Sequence, residues 1–183
     1  IVVMGSANGA VEETVDTLVA AGERVGMLRI RLFQPFPTDQ FLAALPQTGI
    51  TKDFQCVTGW RVNDVPWSGV LLRDVLAEAG VEPDGAALRF TSFDGGYTES
   101  LTMEQGLRDD ILVATSMYGQ PLEVKHGAPV RLYVVPMYGY KSLKWLSGIE
   151  VGRAVEPGYW ENLGYDVDAW VGQSNGRSDE PTA

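Results

Sequence analysis

The stretch that decides the fold is "KHGAPVRLYVVPMYGYKSLKWL", residues 125–146, where an apolar run lies between two basic segments. Residues 130–136 are apolar apart from one arginine and form a short β-rich run that predicts a strand. The chain's single histidine, His126, precedes that run. Basic or hydroxyl side chains follow it at Lys141, Ser142 and Lys144.

These side chains have two interpretations. Cationic and hydroxyl groups on glycine-bearing turns can surround a phosphate, since glycine lets backbone N–H groups approach it closely. With Arg131 on the strand, the segment then predicts an anion-binding site. The alternative is a strand followed by a solvated basic loop. The residues of the segment alone leave both interpretations open.

The only cysteine, Cys56, lies in "KDFQCVTGWRV", residues 52–62. A lone cysteine in an apolar run is most often a small buried hydrophobic residue. As a thiolate metal ligand it would need a nearby positive charge or the metal itself to stay deprotonated. Arg61 lies five residues on and could supply such a charge, although one pair of residues is a weak signal.

A tyrosine on a glycine turn is the third candidate. In "FDGGYTESL", residues 93–101, two glycines precede Tyr97, and Asp94 and Glu99 are close in sequence. A tyrosine beside carboxylates on a loop can donate a proton, but such a ring more often simply packs.

Composition places the chain among globular proteins and excludes some functions. It has 183 residues, enough for one ordinary domain with a real core, and a formal net charge of −10. That charge argues against broad binding to nucleic acids or anionic membranes. No apolar run approaches the ~20 residues of a membrane span. The opening "IVVMG" is typical of the inside of a strand, so we expect a fragment or a fusion joint. Localisation is unknown: cytoplasmic as the sequence stands, periplasmic or membrane-associated if an N-terminal signal is missing.

The pattern of apolar residues changes at Pro46. Before it the chain predicts a β-α-β-α unit with parallel strands, namely strands near 1–5 and 25–33 and helices near 10–21 and 38–45. After it, short β-rich runs dominate at 50–58, 88–93, 112–115 and 130–136, with one clear helix at 71–79. The sequence therefore predicts an α+β fold. A polar tail, residues 173–183, is expected to be disordered.

From about Leu42 to Gly176 the chain resembles the molybdopterin-binding domain of the sulfite oxidase family, including its bacterial methionine sulfoxide reductase relatives. Four segments carry the resemblance, namely "CVTGWRVNDVPWSGVLLRDVLAEAGV", "GGYTESL", "YGQPLEVKHGAPVRLYVVPMYGYKSLKWLSGIEV" and "GYWENLGYDVDAW". The resemblance implies a sulfite-oxidase-type fold of mixed sheets with short helices. It also implies oxygen-atom transfer at an oxo-molybdenum centre, on sulfite, another small oxo-anion or a sulfoxide.

The resemblance also implies roles for individual residues. Cys56 would be the thiolate on molybdenum, Arg61 would face the substrate, and Tyr97 would stand near the metal's labile oxygen. Four further side chains would hold the pterin and its phosphate: His126, Arg131, Ser142 and Lys144.

The front of the chain departs from this family. Residues 1–46 instead resemble a β-α-β-α stretch from the second domain of pyruvate:ferredoxin oxidoreductase, and they lack the family's upstream pterin contacts. The resemblances together predict a chimera with a front piece at 1–46, a molybdopterin-dependent oxidoreductase domain at 47–172 and the tail at 173–183.

Molybdenum–molybdopterin is therefore the expected cofactor. The chain has no CxxCH haem-attachment motif, one histidine and one cysteine, so we expect neither haem nor an iron–sulfur cluster. Electrons would pass to a separate protein of haem or cytochrome type. Two alternatives stay open: a non-catalytic domain that has lost its cofactor, and a fragment of pyruvate:ferredoxin oxidoreductase.

Overall fold

The computed structural model describes residues 2–3, 8–22, 28–29 and 38–181. The chain divides into two compact units, residues 1–38 and 39–183. No helix among the described residues is long and apolar enough to cross a membrane.

The first unit contains a β-α-β element. Strand β1 (Val2–Val3) pairs in parallel with β2 (Leu28–Arg29), and helix α1 (Asn8–Ala20) lies between them in the chain. The parallel pairing follows the prediction, although the remainder of both predicted strands lies outside the described residues. On α1, Val15 is buried but Val19 is exposed, so the apolar face of the helix is narrower than the sequence predicts.

The second unit begins within a short helix, α2 (Thr38–Ala43), and contains a five-stranded antiparallel sheet. Strand β3 (Gln47–Gln55) pairs with β4 (Arg61–Leu71), and β4 pairs with β7 (Ile111–Met117). The other edge of β7 pairs with two short strands, β8 (Gln120–Pro121) and β9 (Arg131–Val134).

A separate three-stranded antiparallel sheet has the order β10-β5-β6. Its strands are β5 (Ala87–Ser92), β6 (Thr98–Thr102) and β10 (Leu146–Gly152). The helices α3 (Leu72–Glu78) and α4 (Met103–Gly106) follow β4 and β6. Short 3₁₀ helices lie at Val124–His126, Gly139–Lys141 and Glu161–Leu163. The predicted α+β class is confirmed.

The five-stranded sheet is covered on both faces where β7 and β9 pair. Ile111 and Leu132 belong to one apolar cluster, whereas their chain neighbours Leu112 and Tyr133 belong to a second cluster. Successive strand residues point to opposite faces, so both strands are buried over the residues at which they pair. The continuous apolar run at 130–136 reflects this burial and fixes Arg131, 3% exposed, inside the protein.

The polar C-terminal segment is ordered against the domain, contrary to the expected disorder. The Tyr138 hydroxyl donates a hydrogen bond to Asp179 (2.8 Å) and accepts one from the Gly172 N–H (3.2 Å). The Arg61 guanidinium donates to the backbone carbonyl of Glu180. Polar side chains therefore bind this segment to the domain, an arrangement that composition alone does not indicate.

Candidate active site

Cys56 lies at the end of β3, in the turn that leads to β4. The Cys56 N–H donates to the Trp60 carbonyl (2.9 Å), and the Gly59 N–H donates to the Cys56 carbonyl (3.0 Å). Gly59 has a φ of 107°, a backbone conformation that glycine adopts without steric penalty. The thiol lies 3.1 Å from the Thr58 hydroxyl and is partly exposed. The turn therefore holds the sulfur in an accessible position rather than in the core.

The thiol lies on a cavity of about 540 Å³, which we call the thiol cavity. Its lining includes five of the predicted site residues, namely Cys56, Tyr97, Arg131, Ser142 and Lys144. It also includes a wall of aromatic rings, namely Phe54, Trp60, Tyr140, Trp145, Trp160 and Tyr165. Side chains from distant parts of the sequence thus meet around the single cysteine.

A second cavity of about 480 Å³, the histidine cavity, contains His126 in its lining. The two cavities share four lining residues, namely Phe54, Trp60, Arg131 and Lys144. Gly127 permits this arrangement, because a Cβ there would lie 3.1 Å from both Arg131 Cβ and Lys144 Cα. The turn after His126 can therefore pack tightly against both cations.

Arg131 is the buried charge of the site. Its guanidinium donates to the carbonyls of His126 (3.0 Å) and Ser142 (2.6 Å) and lies 5.2 Å from the centre of the Trp67 ring. Burial lowers the pKa of Arg131 to about 10, so the group stays positively charged at neutral pH. Arg131 forms no ion pair among the described residues, which leaves its charge open to an anionic ligand.

Lys144 adds a second cation beside the same cavity. Its ammonium donates to the Lys125 carbonyl (2.8 Å), and it too lacks a carboxylate partner among the residues that the structure describes. Burial first, and then repulsion from Arg131, lower the pKa of Lys144. Two cations that repel each other at a cavity wall favour binding of a dianion such as a phosphate.

Ser142 connects Arg131 to the sheet. Its hydroxyl accepts a hydrogen bond from the Val134 N–H (3.0 Å), and its carbonyl accepts the bond from Arg131. The Trp145 indole N–H donates to the Val124 carbonyl (2.8 Å), which ties the loop after Ser142 to the turn at His126.

Arg61 does not line the thiol cavity, in contrast to the expected position facing the substrate. Its Nε donates to Gln55 Oε1 (2.6 Å), and its guanidinium forms an ion pair with Asp53 (3.4 Å). The remaining nitrogen donates to the carbonyl of Glu180. The side chain is therefore committed to β3 and the C-terminal segment, which the five-residue spacing from Cys56 could not indicate.

Tyr97 joins the thiol cavity to a buried group of charges. Its hydroxyl donates to the Tyr140 carbonyl (2.6 Å) and lies 3.4 Å from Glu99 Oε1. Burial, with the carboxyl groups of Glu99 and Glu161, raises the pKa of Tyr97 well above its ordinary value. The phenol therefore keeps its proton at neutral pH.

Next to Tyr97 lie three ionisable side chains, Glu99, Lys141 and Glu161, that the sequence did not indicate as a group. Lys141 Nζ lies 2.6 Å from Glu99 Oε2 and 2.6 Å from Glu161 Oε1. The sequence does contain an indication that Glu99 is buried. Glu99 and Leu101 are two residues apart on one strand, so their side chains share a face, and the apolar Leu101 is expected to point inward. No local pattern connects it with residues more than forty positions away.

Asp94 is the carboxylate of the thiol cavity. It accepts hydrogen bonds from the Ser92 hydroxyl (2.5 Å) and the Gly96 N–H (3.0 Å). These bonds, with that from Ser92 the larger cause, lower the pKa of Asp94, which is therefore ionised at neutral pH. No group of three histidine, cysteine, aspartate or glutamate side chains within the described residues could hold a metal ion.

The family described as "Oxidoreductase molybdopterin binding domain" matches residues 31–160. The chain belongs to this family. The match begins inside the front piece at 1–46, and nothing in the comparisons supports the resemblance of that piece to pyruvate:ferredoxin oxidoreductase. The predicted membership of an oxidoreductase family with molybdopterin as its cofactor is confirmed.

Two relatives show the extent of this similarity. The chain is 36% identical over 132 residues to the uncharacterized oxidoreductase YuiH of Bacillus subtilis, covering 71% of this chain and 66% of YuiH. It is 34% identical over 112 residues to mitochondrial sulfite oxidase of Drosophila melanogaster, covering 57% of this chain and 20% of that protein. The chain thus spans less than two thirds of the length of either relative.

Among solved structures, the chain is similar to the sulfane dehydrogenase SoxCD from Paracoccus pantotrophus. The TM-score is 0.58 and the sequence identity is 26%, covering 64% of this chain and 34% of that chain. The predicted sulfite-oxidase-type molybdopterin-binding fold is confirmed by this likeness.

Proposed function

We propose that this domain binds molybdenum–molybdopterin in the thiol cavity, with Cys56 on the metal, and transfers an oxygen atom from a neutral sulfoxide. The observation that carries the proposal is the convergence of Cys56, Tyr97, Arg131, Ser142 and Lys144 on one cavity. Membership of the molybdopterin-binding family supports the cofactor. A volume of about 540 Å³ is within the usual range of ligand pockets.

The side chains suit the proposed cofactor. Arg131 and Lys144 would bind its phosphate, because both are cations without a carboxylate partner among the described residues. Ser142 would position Arg131, and His126 would contact the pterin from the histidine cavity. The partly exposed Cys56 thiol would supply a soft ligand to the metal. When bound, the cofactor supplies two-electron oxygen-atom transfer.

The lining favours a neutral substrate over sulfite. With Arg131 and Lys144 engaged by the cofactor's phosphate, the ionised Asp94 carboxylate is the charge left in the lining and would repel an anion. Arg61, the cation expected to attract one, lies elsewhere. Aromatic rings such as Trp160 and Tyr165 form favourable contacts with organic sulfur groups. The bacterial sulfoxide reductase relatives that the sequence resembles act on this class of substrate.

The proposed reaction is balanced by electrons from outside the chain. A sulfoxide, two electrons and two protons give a sulfide and water. The electrons would come from a separate electron-transfer protein of haem or cytochrome type. Tyr97 would orient the substrate oxygen and serve as the proton donor to it.

The first test uses protein produced in a host that makes the cofactor. We expect near-stoichiometric molybdenum by metal analysis, and reduction of an alkyl aryl sulfoxide by a reduced viologen dye. Sulfite oxidation with ferricyanide should be much slower. Protein without molybdenum would contradict cofactor binding, and sulfite turnover as fast as sulfoxide turnover would contradict the choice of substrate.

Removing the charge of Asp94 tests whether this carboxylate makes the site prefer a sulfoxide to sulfite. Asp94→Asn removes the negative charge of the thiol cavity, so we expect sulfite turnover to rise relative to sulfoxide turnover. Asp109→Asn, at an exposed position outside the lining, is the matched control and should leave the ratio unchanged. An unchanged ratio in Asp94→Asn would show that this carboxylate does not select the substrate.

A further inference from the structure

The group formed by Glu99, Lys141 and Glu161, which we call the buried triad, lies behind the wall of the thiol cavity. The three side chains are no more than 1% exposed, and the lysine contacts both carboxylates at 2.6 Å. They come from β6 and from the 3₁₀ helices Gly139–Lys141 and Glu161–Leu163. None of the three lines the cavity itself.

The charges of the buried triad do not balance. Two carboxylates and one ammonium leave a formal charge of −1 in a site without water access, which is unfavourable in a low-dielectric interior. One bound proton makes the triad neutral. Burial, as the largest cause, raises the pKa of Glu99 to about 8, with Lys141 opposing the rise and Glu161 adding to it. Glu99 is therefore the carboxyl group that retains the proton.

Glu99 meets few other groups that titrate. Its strand partner on β5 is the uncharged Phe90. The titratable side chains around it are Tyr97 on its own strand, Tyr140 and Lys141 on one 3₁₀ helix and Glu161 on another.

Close packing holds this arrangement. Gly158 lies where a Cβ would be 2.4 Å from the Thr98 carbonyl oxygen and 2.9 Å from Glu161 Oε2. The segment before Glu161 can therefore approach β6 only because this residue has no side chain. The fold brings Glu161 to Glu99 by main-chain packing and leaves no room for a solvated carboxylate.

Tyr97 is the polar group that connects the triad with the cavity. Tyr97 is part of the cavity lining, and its hydroxyl donates to the Tyr140 carbonyl (2.6 Å) and lies 3.4 Å from Glu99 Oε1. A tyrosine that gives up its proton toward the cavity can recover one from a carboxylic acid at that position, since heavy atoms at this separation need only a small approach to transfer it.

We propose that the buried triad stores one proton and delivers it through Tyr97 to the oxygen atom that leaves the substrate. The inference rests on the proposed function and deepens it. In each turnover the Tyr97 O–H bond breaks as the oxygen gains its first proton, and Glu99 then reprotonates Tyr97. Solvent in the cavity supplies the second proton and, through Tyr97, returns one proton to Glu99, while the external carrier supplies both electrons. Glu99 acts only through Tyr97 and is a positioning residue.

The first measurement needs no cofactor. Infrared spectroscopy of the purified protein at neutral pH should show a protonated carboxyl band that shifts in D₂O. Glu99→Gln and Glu161→Gln should each alter or abolish that band, whereas Glu78→Gln, an exposed glutamate, should not. A spectrum unchanged by both triad variants would overturn the stored proton, whatever the protein's activity.

The second measurement tests delivery in molybdenum-loaded protein. Glu99→Gln keeps the neutral shape of the protonated acid but cannot release a proton, so we expect sulfoxide turnover to fall about a hundredfold with KM little changed. Glu99→Asp should recover part of the loss. Tyr97→Phe combined with Glu99→Gln should be no slower than Tyr97→Phe alone, because both changes interrupt one path.

The pH profile separates delivery from a structural role. Wild-type turnover should decline above about pH 8, where Glu99 loses its proton, and the decline should be absent from the residual activity of Glu99→Gln. Wild-type rates in a folded Glu99→Gln protein would overturn the inference. Absence of sulfoxide turnover in the wild type would instead overturn the proposed function, and the infrared result would still decide the stored proton.

Discussion

Replacing Glu99 by glutamine should change how the stability of the domain depends on pH. Burial raises the pKa of Glu99 from its ordinary value of 4.5 to about 8. Each pH unit across that difference is worth about 1.4 kcal/mol, so the full effect is on the order of 5 kcal/mol. Glutamine has the same shape as the protonated acid but does not titrate.

The sign follows from proton binding in the two states. Between about pH 4.5 and about pH 8 the folded protein keeps the Glu99 proton, while the unfolded chain releases it. Wild-type stability therefore falls as pH rises through this window. Glu99→Gln has no carboxyl group that titrates at this position. Its free energy of unfolding should therefore be close to that of the wild type near pH 5 and several kcal/mol higher near pH 8.

Urea unfolding, followed by circular dichroism at several pH values, measures the effect. The quantity of interest is the free energy of unfolding of the variant minus that of the wild type, because all other titrating groups cancel in this difference. The same measurement on Glu78→Gln, an exposed position, supplies the control and should show no slope. A difference that stays constant from acid to mildly alkaline pH would refute the raised pKa and the neutral triad.

Three other substitutions have defined outcomes. Cys56→Ser should keep the fold by circular dichroism but lose molybdenum and sulfoxide turnover, because a hydroxyl is a poor substitute for a soft thiolate; full metal content would rule out the ligand assignment. Arg131→Lys should lower the amount of cofactor retained after gel filtration at least tenfold, because lysine lacks the planar guanidinium group that donates to two carbonyls at once. Gly69→Ala should lower the free energy of unfolding by about 3 kcal/mol or more, since its Cβ would lie 2.2 Å from the Val113 carbonyl; a stable variant would show that β4 and β7 can separate there.

Local pattern was sufficient for parts of the second unit. The β-rich run at 130–136 predicted a strand, and β9 (Arg131–Val134) lies within it. The helix predicted at 71–79 agrees with α3. The long strand β4 was not predicted, because its exposed first half and buried second half show no single periodicity.

The sequence by itself determined the residue types available for chemistry and, through recognisable segments, the family. Cys56 and His126 were identifiable because the chain has one cysteine and one histidine. Tyr97 and the basic residues after His126 were identifiable because adjacent glycines mark their turns. Their motifs are local, so they needed no knowledge of the tertiary contacts. The disorder that composition predicted for the polar C-terminal segment was wrong, because residues of this segment form hydrogen bonds with residues far away in the sequence.

Only the tertiary structure decided which charges meet. Arg61 is close to Cys56 in sequence yet binds Asp53 and a C-terminal carbonyl, because the strand pairing turns its side chain away from the cavity. Glu99, Lys141 and Glu161 are distant in sequence yet share one buried site, in which the lysine lies 2.6 Å from both carboxyl groups and water is excluded. A pairing of this kind depends on distance and burial, and neither quantity is a property of a linear sequence.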